Sequence, residues 1–208
     1  MVMEFLTGES LAERLKRGPL SLPEVQTITY QVGAALHAAH AHGVVHRDMK
    51  PDNVFLSERM VAGERHTHVT VLDFGISKVH DSQTIQTNDQ VVLGTPCYMA
   101  PEQALSRGAK IDGRTDIFAL GVMVYEMLSA QRPFDGDSLM SILFQVVNEA
   151  PKSLVDVVPG LPASTSHVVE RAMAKNPDER FSDMAAFVQA FCGRSIDVNE
   201  PAYLETVQ

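Results

Sequence analysis

The sequence has few cysteines, no long apolar run and no excess of basic residues. Its two cysteines, Cys97 and Cys192, lack the spacing of metal ligands, and their scarcity favours a reducing, cytoplasmic setting. No signal-peptide pattern and no run of about 18 or more apolar residues occur, so no membrane-spanning segment is predicted in this chain. Acidic residues number 26 against 17 Lys and Arg, and the resulting net charge of −9 disfavours sequence-independent binding to nucleic acid or anionic lipid.

The residues that are present are typical of a folded globular domain. The 208 residues are 45% hydrophobic and 21% charged, and one domain of this length buries roughly 70% of its unfolded surface. Ser10 and Ser21 each precede a glutamate by three residues, a capping-box pattern that predicts helix starts. Apolar residues then recur at helical spacing until Gly43, which predicts one long helix.

The remaining pattern predicts an α+β fold that is mainly α-helical. Short apolar runs predict strands at 44–45, 54–56 and 69–72, with a polar loop over 57–68. Pairing of the last two strands would bring Asn53 and Asp73 together. Further helices are predicted at 117–128, 137–149, 164–175 and 182–192.

Two short motifs carry the chemical signal. Residues 46–53 read HRDMKPDN and place a carboxylate, an ammonium group and an amide in one loop. Residues 73–75 read DFG and follow the apolar run 69–72, so a second carboxylate comes directly after a predicted strand. A solvated turn, with Asp73 capping a neighbouring element, would explain either motif alone but does not explain both in this order.

The two motifs together resemble the catalytic loop and the metal-binding motif of protein kinases. The resemblance implies that Asp48 accepts or orients the proton of an attacking hydroxyl, and that Lys50 stabilises the γ-phosphoryl group of ATP during transfer. It also implies that Asn53 and Asp73 hold Mg²⁺, or Mn²⁺ in its place, because hard cations prefer oxygen ligands.

Three further segments match this family in the same order. Residues 94–102 read GTPCYMAPE and resemble the segment that cradles the substrate, and residues 116–121 resemble the start of the central helix of the C-terminal lobe. Residues 176–181 resemble a late loop whose arginine pairs with the last glutamate of the 94–102 segment, which implies a buried ion pair between Arg180 and Glu102. Two unrelated surface charges would be the alternative for that pair taken singly.

The resemblance also assigns structural roles around the catalytic loop. His46 is expected to pack on Phe74, and the Asp116 carboxylate is expected to face the loop backbone. Phe55 is expected to lie under the adenine ring, either as a platform or as a partial block. The implied fold is a protein-kinase-like C-terminal lobe with short β-hairpins at the catalytic cleft.

The glycine-rich loop, the strand lysine and the helix glutamate that precede the catalytic loop in kinases are not recognisable. No two glycines are separated by one residue, so no G-x-G-x-x-G occurs, and Lys16 is the only lysine before the loop. Residues 2–6 resemble the hinge between the lobes, with Met3 as gatekeeper and the backbone of Glu4 and Leu6 at the adenine edge. We expect a hinge remnant at 1–9, a C-terminal lobe at 10–193 and a frayed polar tail at 194–208.

Three explanations for the missing N-terminal lobe stay open: a misplaced start codon, a fragment, or a stand-alone lobe. Missing flanks could carry a membrane anchor. Residues 1–208 alone are expected to be nearly inactive, because they lack the N-terminal lobe that covers the adenine ring and supplies a lysine to bind the ATP phosphates.

Hydroxyl residues between Asp73 and Glu102 suggest regulation. Phosphorylation at Thr84 or Thr87 would add a charge of about −2 that Arg47 could meet. Thr95 instead resembles a residue whose hydroxyl bonds near the catalytic loop. Lys50 together with residues 94–95 resembles serine/threonine rather than tyrosine kinases, and residues 43–46 resemble bacterial members.

The functional hypothesis is therefore a serine/threonine protein kinase that uses ATP and Mg²⁺ to phosphorylate protein substrates. The rival is a non-catalytic lobe that binds partners, and its expected mark, decay of Asp48, Asn53 or Asp73, is absent. His37 and His40 lie with His42 at one helix end, where a routine surface is favoured over a zinc site.

Overall fold

The computed structural model describes residues 7–61, 63–74, 96–105 and 110–197. This part of the chain contains a small sheet and eight α-helices, which agrees with the predicted mainly helical α+β class. The elements in chain order are β1 (Glu9–Ser10), α1 (Leu11–Leu15), α2 (Leu22–Ala41), β2 (Val54–Val61), β3 (Glu64–Val71), α3 (Pro101–Ala104), α4 (Gly113–Ser129), α5 (Leu139–Asn148), α6 (Leu154–Val157), α7 (Ala163–Ala172) and α8 (Met184–Cys192).

The predicted helix starts depend on capping side chains. Ser10 and Glu13 form the reciprocal capping box at α1, with bonds of 3.1 and 3.3 Å. At α2 the Glu24 carboxylate accepts hydrogen bonds from both the backbone N–H and the hydroxyl of Ser21. Gly43 follows α2 with a φ of +76°, a left-handed conformation that glycine adopts without strain.

Helices α2 and α4 form the centre of the lobe. Thirteen of the 17 residues of α4 are buried, as expected for a helix that is apolar on nearly all sides. Helix α2 packs against α8, and α4 packs against α7. Two glycines allow these close approaches. A Cβ on Gly33 would lie 2.3 Å from Val188 Cγ2, and a Cβ on Gly121 would lie 2.9 Å from Ala172 Cβ.

The sheet has the order β1-β2-β3 and is antiparallel throughout. The predicted loop at 57–68 was wrong, because most of it belongs to the strands of one long hairpin with Val54 opposite Val71. Polar side chains conceal these strands in the sequence, since the outer half of the hairpin is exposed on both faces. Gln31 of α2 completes the edge of β3 by donating to the Thr67 carbonyl (2.9 Å) and accepting from the Val69 N–H (3.0 Å).

Other sequence predictions also need correction. Residues 44–45 form no strand, because the sheet of the described residues gives them no pairing partner. The predicted boundary between the hinge remnant and the C-terminal lobe, at 9–10, falls within β1. Within the predicted tail at 194–208, the described residues contact the helical core: Arg194 lies 3.4 Å from the ring centre of Tyr30, and the Asp197 N–H donates to the Tyr30 hydroxyl (3.1 Å).

The later helices agree with the predicted ranges to within a few residues, except at two places. Helix α4 begins at Gly113, four residues before the predicted start, because the Asp112 side chain accepts the Arg114 N–H (3.0 Å). The short helices α3 and α6 were not predicted; at α6, Ser166 fixes the start by accepting the Leu154 N–H (3.1 Å). None of the described helices combines the length and the apolarity needed to cross a membrane.

Candidate active site

The loop that follows α2 has a strained backbone held by hydrogen bonds. Arg47 has a φ of +65°, a left-handed conformation that costs a non-glycine residue about 1–2 kcal/mol. The carboxylate of Asp116, in the first turn of α4, accepts the backbone N–H groups of His46 and Arg47, each at 2.9 Å. Asp116 is 1% exposed, so these bonds form away from water. The predicted contact between Asp116 and this loop is therefore present.

His40, at the end of α2, supplies a third partner for Asp116. Its Nε2 lies 2.7 Å from Asp116 Oδ2. The fit is close, since a Cβ on Gly113 would lie 2.7 Å from His40 Nδ1. Sequence reasoning treated His40 only as one of three clustered histidines and missed this contact, because its partner is 76 positions away.

Three chemically functional side chains extend from the loop. Lys50 Nζ lies 3.4 Å from Asp48 Oδ2, and both side chains are partly exposed. The Asn53 amide nitrogen donates to the Asp48 carbonyl (2.7 Å), which leaves the amide oxygen as the acceptor of this buried side chain. A carboxylate, an ammonium group and an amide are thus held on one rigid turn.

The hairpin brings Asp73 to the same region. The Leu72 N–H donates to the Asn53 carbonyl (2.9 Å), so Asp73 is the residue directly after this cross-link. Asp73 is exposed and has a φ of +52°. His46 Nε2 bonds the Leu72 carbonyl (3.0 Å), and its ring contacts Phe74 at 4.9 Å in a tilted geometry. The predicted contact of His46 with Phe74 is present, but the rings are not parallel.

Glu102 and Arg180 form a buried ion pair at the base of this region. Arg180 donates two hydrogen bonds to the Glu102 carboxylate, at 2.8 and 2.7 Å, and Thr115 donates a third (2.9 Å). Burial raises the pKa of Glu102, but the hydrogen bonds and the charge of Arg180 outweigh burial and lower that pKa overall. Glu102 is therefore ionised, and α3 is fixed to the loop before α8.

The segment before α3 is also anchored to the core. The Tyr98 hydroxyl donates to the carboxylate of Glu126 in α4, and Arg132 lies 3.4 Å from the same carboxylate. Burial is the main cause that raises the pKa of the Tyr98 phenol, so it stays protonated. Sequence reasoning did not name Tyr98 or Glu126 as partners.

The remaining predicted site residues are Phe55, which lies on the sheet, and six residues outside the described part of the chain. Phe55 lies on β2 opposite Ser10, and a Cβ on Gly8 would lie 2.9 Å from its ring. Residues predicted at the hinge and in the activation segment lie outside the described part of the chain: Met3, Glu4, Leu6, Thr84, Thr87 and Thr95.

The sequence and the fold of this chain are similar to those of known proteins. The helical lobe and the loop between α2 and β2 define the C-terminal lobe of a protein kinase. Residues 1–192 match the family described as the protein kinase domain, and the chain belongs to that family. The serine/threonine-protein kinase Pkn1 of Myxococcus xanthus is 43% identical over 190 residues, which cover 91% of this chain and 27% of Pkn1.

A second relative and a solved structure support the same assignment. The serine/threonine-protein kinase PknA of Mycobacterium tuberculosis is 38% identical over 191 residues, covering 91% of this chain and 41% of PknA. The crystal structure of the Mycobacterium tuberculosis PknI kinase domain superposes with a TM-score of 0.68 at 28% identity, covering 91% of this chain and 63% of that one. The chain spans less than half the length of these curated relatives.

Proposed function

We propose that this chain carries the catalytic loop of an ATP-dependent protein kinase that phosphorylates Ser or Thr in protein substrates. The supporting observation is the rigid loop in which Asp116 and Asn53 fix the backbone on both sides of Asp48. Phosphoryl transfer depends mainly on positioning and electrostatic stabilisation, which a fixed loop of this kind can supply.

Each side chain of the loop has a role in this proposal. Asp48 orients the substrate hydroxyl and accepts its proton. Lys50, 3.4 Å from Asp48, places a positive charge where the transferred group carries negative charge. Asn53 contributes its amide oxygen, and Asp73 contributes its carboxylate.

The donor set fits Mg²⁺ together with ATP. Among the residues that the structure describes, no group of three or more His, Cys, Asp or Glu side chains could hold a metal ion by itself. Mg²⁺ needs no such group, because it commonly uses one or two protein oxygens together with substrate phosphates and water. Asn53 and Asp73 would hold the ion, which would neutralise phosphate charge when bound.

Residues outside the described ranges complete the proposal. The backbone of Glu4 and Leu6, next to Met3, would meet the adenine edge above Phe55. A phosphate on Thr84 or Thr87 would pair with Arg47, and Thr95 would bond near Asp48.

Two wider expectations also belong to this proposal. Protein substrates and ATP are the expected partners, and a cytoplasmic location is consistent with the two free cysteines.

Radiolabelled phosphotransfer by the intact protein tests this function. With Mg²⁺ and protein substrates rich in Ser and Thr, we expect label on phosphoserine or phosphothreonine. Asp48→Asn is expected to lower kcat by about 10²–10⁴-fold, the usual contribution of a proton-transferring side chain. The matched control is Asp52→Asn, which changes an exposed carboxylate of the same loop and is expected to leave kcat nearly unchanged.

Absence of Asp48-dependent phosphotransfer would overturn the proposal. The non-catalytic alternative would then be favoured if a binding partner is retained by the protein and by its Asp48→Asn, Asp73→Asn variant alike.

A further inference from the structure

The peptide unit that joins Arg47 to Asp48 is held at both ends. Its N–H, on Asp48, donates to His46 Nδ1 (3.3 Å), and its carbonyl, on Arg47, accepts from the side-chain amide of Gln103 (2.8 Å). The preceding peptide unit is fixed separately by Asp116, which accepts the Arg47 N–H (2.9 Å). Arg47, with its left-handed φ, therefore lies between two peptide planes that are each restrained by hydrogen bonds.

Gln103 reaches the loop from the start of α3. Its amide oxygen accepts the Ala100 N–H (3.0 Å), while its amide nitrogen donates to Arg47, 56 positions earlier in the sequence. One planar side-chain amide thus joins the backbone of the segment before α3 to the backbone beside Asp48. The backbone that carries Gln103 is held in place, because the preceding residue, Glu102, is hydrogen-bonded to Arg180.

We propose that Gln103 is a positioning residue that couples the segment Pro96–Ala100 to the orientation of the Asp48 carboxylate. The inference rests on the proposed kinase function, in which Asp48 handles the substrate proton and this segment lies at the substrate. Rotation of the Arg47–Asp48 peptide plane changes ψ of Arg47 and φ of Asp48, and so redirects the Asp48 side chain. The Gln103 bond opposes that rotation from the carbonyl end.

A purely structural role for Gln103 makes a different prediction. The third residue of a helix often accepts the N–H of the capping residue, and Glu is a common choice there. Gln103→Glu keeps an acceptor for the Ala100 N–H but replaces the donor to the Arg47 carbonyl with a carboxylate oxygen. Gln103→Met removes both bonds at similar side-chain length. The two variants therefore separate capping of α3 from attachment to the catalytic loop.

Steady-state kinetics on the intact protein give the first readout. A small displacement of a catalytic group can lower turnover by up to about 10²-fold. We expect Gln103→Glu and Gln103→Met both to lower kcat by about 10–100-fold with little change in KM for ATP. The melting temperature is expected to fall for Gln103→Met and to stay close to wild type for Gln103→Glu. Wild-type kcat in Gln103→Glu would overturn the proposal.

Hydrogen exchange of the loop amides gives a second readout that does not depend on activity. The amides of Arg47 and Asp48 are expected to exchange faster in Gln103→Glu than in the wild type. The amides of β3 serve as the control and are expected to exchange at the wild-type rate. Unchanged exchange at Arg47 and Asp48 would overturn the coupling. If the wild-type protein transfers no phosphate, the proposed kinase function fails, and exchange still decides whether Gln103 fixes the loop.

Discussion

Arg180 and Glu102 are 78 positions apart in the sequence, yet their side chains meet in the interior through two hydrogen bonds of 2.8 and 2.7 Å. Arg180 also donates to the backbone carbonyls of Ala174 and Arg114. This single guanidinium therefore joins α3, the start of α4 and the loop that follows α7. The pair therefore fixes the position of α3, which carries Gln103 and follows the segment at 96–100.

Breaking this pair should destabilise the fold. Glu102→Gln leaves the Arg180 charge buried without its counter-charge, and loss of one partner of a buried pair typically costs about 3–5 kcal/mol. We expect the free energy of unfolding, measured in urea, to fall by about that amount. Glu9→Gln is the control, because Glu9 and Arg17 form an ion pair at the surface and such pairs contribute little to stability. Equal effects of the two substitutions would contradict the assigned role.

Much of the fold could be predicted from the sequence, because short-range signals mark its elements. The capping boxes at Ser10 and Ser21 and the apolar spacing after Ser21 fixed α1 and α2, since caps and periodicity act within one or two turns. The hairpin at 57–68 was missed because its exposed strands carry polar residues on both faces, which removes the alternation that identifies a strand.

The residues of the candidate site also divide into those that local sequence motifs predicted and those that they did not. Asp48, Asn53 and Asp73 were recognisable from motifs that are contiguous in sequence. His40 and Gln103 were missed, since each acts through a partner 76 or 56 positions away that only the packing of α2, α3 and α4 brings near. No local pattern distinguishes such a side chain from an ordinary polar residue at a helix end.

The contact between His40 and Asp116 should matter for both stability and turnover. His40→Phe removes the bond to a buried carboxylate, and hydrogen bonds to charged groups contribute about 1.5–3 kcal/mol. We expect a loss of that size in the free energy of unfolding, together with a lower kcat. His40→Gln can place an amide nitrogen near the position of Nε2 and should restore much of both. His37→Gln serves as the control; a His40→Phe protein with wild-type stability would refute the contact.

The proposed role of Asp73 as a Mg²⁺ ligand predicts a changed metal requirement. Removing its carboxylate charge in Asp73→Asn weakens a ligand for a hard cation, whereas the backbone that positions it stays in place. We expect the Mg²⁺ concentration for half-maximal phosphotransfer to rise at least about tenfold, since even groups that only support a ligand cost about 10–100-fold in metal affinity. Asp156→Asn, which changes an exposed carboxylate on α6, is the control. An unchanged Mg²⁺ titration would exclude Asp73 as a ligand.

Lys175 predicts a pH dependence of stability. Its ammonium group donates to the carbonyls of Val146 (2.6 Å) and Gln145 (3.1 Å) at the end of α5 and lies 4.0 Å from the ring centre of Phe134. Burial, with a smaller contribution from the nearby charge of Arg180, lowers the pKa of Lys175 from its ordinary value of 10.5 to about 8. The folded protein therefore releases this proton at a lower pH than the unfolded chain does.

The direction of the effect follows from proton linkage. Between about pH 8 and pH 10.5 the unfolded chain binds more protons at Lys175 than the folded protein, so this residue makes the free energy of unfolding rise with pH. Buried Cys97 and Tyr98 act in the opposite direction, because their raised pKa values favour the neutral forms in the folded state. The contribution of Lys175 is isolated by subtracting the free energy of unfolding of Lys175→Met from that of the wild type. We expect this difference to become more favourable to the wild type as the pH rises through this interval. A difference between the wild type and Lys175→Met that stays constant over this interval would show that Lys175 keeps its proton in the folded protein.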